Sequence, residues 1–187
     1  MTMDANAALA ELPRSCDWGF KKDTDGNDYW WRGYKAHIVW ADGMIPLCCV
    51  TTSASLHDNQ SAIPMMKRVS EKVKSLYDLM DSAYDASLIR EVSLSLGHVP
   101  IICKNPRQGI VFPKLNRFSR WYQCTAEQLR YRERSNAERG NSRLKDSFGL
   151  RFLLVRGDLK VHLHTMFAVL ALFADQLLKW EKQKPEL

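Results

Sequence analysis

TAEQLRYRERSNAERGNSRLKDSFG, residues 125–149, decides how this chain is read. The stretch is polar and helix-prone, with Thr125 placed as an N-cap, Gln128 three residues on as the partner in a capping box, and Gly149 as the stop. Read as one helix at about 100° per residue, it puts Tyr131, Arg134, Glu138 and Lys145 on a single narrow face. No apolar residue shares that stripe, and unpaired buried charge is costly, so the face is not built for a core. A carboxylate among tyrosine, arginine and lysine suits metal and phosphate. The bland alternative is a solvated face on which Glu127, Glu133 and Glu138 pair with nearby arginines.

Outward from this helix, charge is unevenly spread. The 187 residues carry 27 Lys and Arg against 21 Asp and Glu, a formal net charge of +6. Arg130, Arg132, Arg134, Arg139, Arg143 and Lys145 crowd one segment, with Arg151, Arg156 and Lys160 after it, while Asp78, Asp81 and Asp85 form an acidic spot. The excess favours a polyanionic partner, and an acidic spot beside a basic field suits metal-assisted phosphate chemistry. The length and 45% hydrophobic content fit one globular unit. Cys16, Cys48, Cys49, Cys103 and Cys124 lack the C-x2-C metal spacing and read as free thiols. No signal peptide opens the chain, and the most apolar stretch, Met166 to Leu178, is too short to span a bilayer. Those features lead to an expectation of a soluble cytoplasmic protein.

Residues 1–30 end in the turn-rich 22–27 and read as a loosely held lead-in, leaving 31–182 as the folded domain. Tyr34 to Trp40 and Ile45 to Thr52, joined by Asp42-Gly43, predict two antiparallel strands. Ser55 or Asp58 can cap a helix in which Ile63, Met66, Val69, Val73 and Leu76 recur near helical spacing. Leu76 to Met80 predicts a strand ending at Asp81, Tyr84 to Leu96 a helix, and Val99 to Cys103 another strand. Lys104 to Gln123 reads as an insertion or ordered loop. Leu159 to Lys182 predicts an amphipathic, mostly core-facing helix. This order implies an α/β fold, a mixed sheet flanked by helices.

Tyr131-x2-Arg134-x3-Glu138-x6-Lys145 resembles the Y-R-E-K signature of bacterial insertion-sequence DDE transposases. Four further motifs accompany it in order: Gly33-Tyr34-Lys35-Ala36-His37, Thr52-x-Ala54-Ser55-Leu56-His57-Asp58, Asp81-Ser82-Ala83-Tyr84-Asp85 and Gly97-His98-Val99-Pro100-Ile101-Ile102. The resemblance runs from about Glu11 to Leu178. It implies a ribonuclease-H-like catalytic domain in which Asp81 and Glu138 are the second and third acidic ligands of two Mg2+ ions. Tyr131, Arg134, Arg139 and Lys145 would hold DNA phosphates, Arg134 as a bidentate fork and Lys145 as a point charge. The implied activity is cleavage and strand transfer at the ends of a mobile element. The implied partners are double-stranded DNA, at terminal repeats and target, and a second copy in a homodimeric transposition complex; the implied location is the bacterial cytoplasm, at the nucleoid.

The family's first aspartate belongs on a strand ahead of Gly33-Tyr34-Lys35. Asp4 is the only acid upstream of Glu11, and its neighbours lack a strand's β-branched pattern. The expectation is a domain without its first strand and inactive alone, alternatively a remnant that at most binds DNA or a full-length transposase. Cys103, where relatives tend to carry an acid, and Gly140, a poor residue inside a helix, point the same way. For other residues bland readings prevail. Asp81 also suits a helix N-cap, His57-Asp58 a capping turn, and Asp78 and Asp85 solvated neighbours of Asp81. His162 and His164 diverge on a helix, and Trp30, Trp31 and Trp40 read as core or sheet-face aromatics.

Overall fold

The computed structural model describes residues 4–22, 25–105 and 125–183. The chain groups into two compact units, residues 1–57 with 136–187 and residues 58–135, rather than the single unit its composition leads one to expect.

In the first unit, Asp4 caps the short helix α1 (Ala5–Ala10), its Oδ2 accepting from the Asn6 amide. Asp4 therefore stands at a helix start and on no strand. Strands β1 (Asp17–Lys22), β2 (Asp28–Ala41) and β3 (Ile45–Ser53) form an antiparallel sheet in the order β1-β2-β3. Within the stretch read as a lead-in, residues 17–22 thus make a strand registered against β2, from Asp17 opposite Gly33 to Lys22 opposite Asp28. Asp42–Met44 turn the chain between β2 and β3, with Gly43 at φ 71° where glycine carries no Cβ penalty. Helix α6 (Asp158–Gln183) packs on β3 through Val161, Thr165, Ala168, Val169, Leu172 and Gln176, a stripe at helical period. Thr51 and His162 lock the two elements by a 2.9 Å hydrogen bond.

Contrary to a mostly core-facing helix, the rest of α6 exposes Leu163, Phe167, Leu170, Leu177 and Leu178. Its helix also exceeds Met166–Leu178: Asp158–Lys182 is long and apolar enough by length and composition to cross a membrane, although a core helix passes the same test. A third of its most apolar stretch is buried in the protein.

In the second unit, α2 (Asp58–Ser70) and α3 (Ser87–Ser95) pack around parallel strands β4 (Tyr77–Met80) and β5 (Val99–Ile102). Ala62, Met66, Ile89 and Ile102 form its core. Helix α3 ends in a Schellman motif: Gly97 sits at φ 79°, the His98 amide bonds the Ser93 carbonyl and the Gly97 amide bonds Leu94. Among the described residues the strands form a three-stranded antiparallel and a two-stranded parallel sheet rather than the one mixed sheet expected. Pattern locates strands, but pairing between distant ones is a tertiary outcome.

The stretch 125–149 is two helices. Helix α4 (Thr125–Arg132) closes with Glu133 and Arg134 amides bonded to the carbonyls three residues back, and α5 (Ser135–Asp146) begins afresh. Such tight closures end a helix, and Ser135-Asn136 are residues whose side chains compete with helical backbone. The single four-residue face is therefore broken. Gly149, at φ 78°, follows the second helix as expected, and the Leu150 amide bonds back to Leu144. The Thr125 side chain, Cys124 and the segment read as a loop, from residue 106 on, lie outside the described residues.

Candidate functional site

Asp81 follows the last residue of β4 and is exposed. Its backbone is extended, and its Oδ1 accepts from the Ala83 amide at 2.9 Å, capping the single turn Ser82–Tyr84. The capping reading holds, and a cap of this kind leaves the carboxylate at the surface.

Two phenols lie near enough to this carboxylate to feel its charge. Burial pushes the Tyr131 hydroxyl above its ordinary range; Arg134 opposes the shift, while Cys103 and Asp81 add to it. Burial likewise raises Tyr84, with Asp58 and Asp81 adding to it. Both stay protonated at neutral pH and so remain hydrogen-bond donors. The Arg134 guanidinium lies 5.5 Å from the Tyr131 ring centre, and Arg130 stacks at 5.1 Å on Tyr77 of β4. Tyr84 and Cys103 were not singled out for this role. The one available signal was the position of Tyr84 three residues after Asp81.

Asp78 and Asp85 are not solvated neighbours. Asp78 Oδ2 accepts from Ser93 Oγ at 2.6 Å and meets His98 Nδ1 at 3.0 Å, and both partners are buried. Asp85 accepts from Arg90 at 2.8 Å and from the Asn105 amide at 2.9 Å, while Arg90 also reaches the Ile102 carbonyl. These acids tie α3 and the β5 end to the frame that presents Asp81.

On α5, Glu138, Arg139 and Lys145 are exposed. Glu138 and Lys145, seven residues apart, share a face, and buried Gly140 and Leu144 occupy the opposite one. Arg139 donates to Asn136 Oδ1 at 2.5 Å. A Cβ on Gly140 would stand 2.7 Å from the Trp40 indole, so this glycine is where the helix lies against a ring. It is a packing residue rather than a flaw. Lys145, Asn141 and Leu144 line a cavity of about 310 Å³ with Tyr34, Lys35 and Thr165.

The sequence-derived residues thus form two groups: Asp81, Tyr131 and Arg134 in residues 58–135, and Glu138, Arg139 and Lys145 in the other unit. Among the described residues no cluster of three or more His, Cys, Asp and Glu is arranged to hold a metal. His162 bonds Thr51 and His164 bonds the Gly149 carbonyl, so they diverge as expected. Among the described residues Cys16, Cys48, Cys49 and Cys103 form no disulfide, and burial pushes Cys49 up to about 12.

No curated protein and no solved structure matches the chain. A family model does, over residues 6–174, which span every residue named above as a site candidate; it describes the transposase DDE domain. With that match over most of its length, the chain belongs to the transposase DDE domain family.

Proposed function

We propose that this chain is the DNA-cleaving domain of an insertion-sequence transposase, with Asp81 and Glu138 as metal-holding carboxylates. The observation that carries the reading is the surroundings of Asp81: an exposed carboxylate at a strand's end, with the Tyr131 phenol, over which Arg134 stands, near enough to feel its charge. Membership of a family that acts on DNA, usually with Mg2+, supplies the substrate class. The parallel β4–β5 pair with flanking helices supports a ribonuclease-H-like core.

Carboxylates are the hard oxygen donors Mg2+ prefers, so the two acids fit that ion. When bound, it would polarise the scissile phosphate and acidify an attacking water. The chain's own residues grip the backbone: Arg134 as a fork, Arg139 and Lys145 as exposed charges, and Tyr131 by donating its hydroxyl proton to a phosphate oxygen. Double-stranded DNA at element ends and a homodimeric complex at the nucleoid follow from the same reading.

Calorimetric titration with Mg2+ and anisotropy with duplex DNA over a salt series test it. Expected are Mg2+ binding lost in Asp81→Asn and weakened in Glu138→Gln, and DNA affinity whose log-log salt slope drops by about 1 with each of Arg139→Ala and Lys145→Ala. Equal Mg2+ binding in wild type and both variants would reject the carboxylate assignment. DNA binding without any Mg2+-dependent nicking would favour the alternative, a non-catalytic chain that binds DNA or a full-length transposase.

A further inference from the structure

Helix α6 carries two stripes, and its own chain covers only one of them. Val161, Thr165, Ala168, Val169, Leu172 and Gln176 are buried on the side that packs on β3. The other stripe starts at Lys160, runs through Leu163, Phe167, Leu170, Ala174 and Leu177, and ends at Glu181, and each of these residues is exposed, Phe167 at 68% and Leu170 at 56%. Its steps alternate three and four residues, which keeps the stripe in line along about 30 Å of helix. A stripe this narrow and regular has the form of a seam between two helices.

Between Lys160 and Lys179 the helix holds no lysine or arginine, whereas a helix that lies on a bilayer surface is rich in them. The charges at the two ends of the stripe select the partner. Asp175, off the stripe, is taken by Arg143 and Lys179, but no ion pair joins Lys160 or Glu181 to the other described residues. Two copies of α6 set parallel would bring like charges together at both ends. Set antiparallel about Leu170, they bring Lys160 of each copy within a turn of Glu181 of the other, at both ends at once. Ala174, the one small residue of the stripe, then lies under a large side chain of the facing helix.

We propose that this stripe is a twofold interface at which α6 pairs antiparallel with α6 of a second copy of this chain. The pairing supplies a surface for the homodimer of the reading above, and it depends on α6 rather than on any contact with DNA.

Sedimentation velocity of the full chain across the micromolar range should show monomer and dimer in equilibrium. Leu170→Lys sets two lysines against each other near the twofold axis and should weaken the dimer by about 100-fold. Leu170 is more than half exposed, so this variant should melt with the wild type, which circular dichroism checks. Lys160→Glu and Glu181→Lys should each weaken the dimer by about 10-fold, since the twofold axis repeats the pair, and the two changes in one chain should restore it. A monomeric wild type would overturn the interface and leave the DNA-cleaving reading to its own Mg2+ and DNA titrations. A dimer indifferent to Leu170→Lys would overturn this stripe as its source, and a double reversal that fails to restore the dimer would overturn the antiparallel pairing. Wild-type monomers that float with phosphatidylcholine vesicles would assign the stripe to a bilayer instead.

Discussion

Asp81 and Glu138 are held in place by opposite kinds of packing. Around Asp81 the supports are polar: Asp78 braced by Ser93 and His98, and Asp85 by Arg90 and the Asn105 amide. Glu138 stands on a helix fixed from behind by apolar contact, Gly140 against Trp40 and Leu144 in a cluster with Ala168, Val169 and Leu172. One carboxylate is positioned by hydrogen bonds that must all be satisfied, the other by shape. The first arrangement is sensitive to the loss of a partner and the second to a change of volume.

The largest effect should come from the apolar side. Leu144 is 2% exposed, and Leu144→Ala should cost about 3 kcal/mol through lost contact and the cavity left behind, read by urea denaturation. A loss below about 1 kcal/mol would mean that α5 is not held by this cluster. Asp78→Ala should cost about 2 kcal/mol, because it leaves the Ser93 hydroxyl and the His98 ring buried without their shared acceptor. If Asp78 were merely solvated, the change would be near zero.

Gly140→Ala sharpens the contrast through its sign. A glycine that only weakens a helix would be improved by alanine, by about 1 kcal/mol. Against the Trp40 ring the added methyl should instead destabilise by about 1–2 kcal/mol, and Trp40→Leu in the same chain should recover most of that loss. Stabilisation by the single change would refute the packing role.

The smallest effects concern pH, and they separate the regions at opposite ends of the scale. Tyr84 is raised in the fold, so its contribution is present below its ordinary value of 10.0 and is lost as pH rises beyond it. Asp175 is lowered by Lys179 and Arg143, so its contribution is present above 3.8 and lost as pH falls below that. Melting temperature against pH should show a flatter alkaline limb in Tyr84→Phe and a flatter acid limb in Asp175→Asn. Limbs that superimpose on the wild type would remove these groups from the pH response.

Most elements were legible because their signals are local. The alternation of Tyr34 to Trp40, the turn at Asp42-Gly43, the apolar runs ending at Met80 and Ile102 and the Gly97 stop each depend on residues a few positions apart. The hairpin strand β1 escaped notice because Asp17–Lys22 holds only two large apolar residues, both on one face, and its pairing with β2 supplies what its own sequence does not. The break at Glu133–Arg134 escaped because periodicity runs straight through it: a helical wheel does not register where the ladder of amide bonds shifts.

The family, the basic helical segments and the identities of the candidate carboxylates were determined by the sequence alone, since ordered motifs and charge type need no coordinates. Tertiary structure alone decided that Gly140 is a seat for Trp40, that Asp78 and Asp85 are braces, that Tyr84 and Tyr131 lie near enough to Asp81 to feel its charge, and that Trp18 and Trp30 stand open. The physical reason is the range of the interactions. Helix and strand signals act over a few residues, whereas burial, hydrogen-bond satisfaction and ring contacts depend on which distant segments the fold brings together.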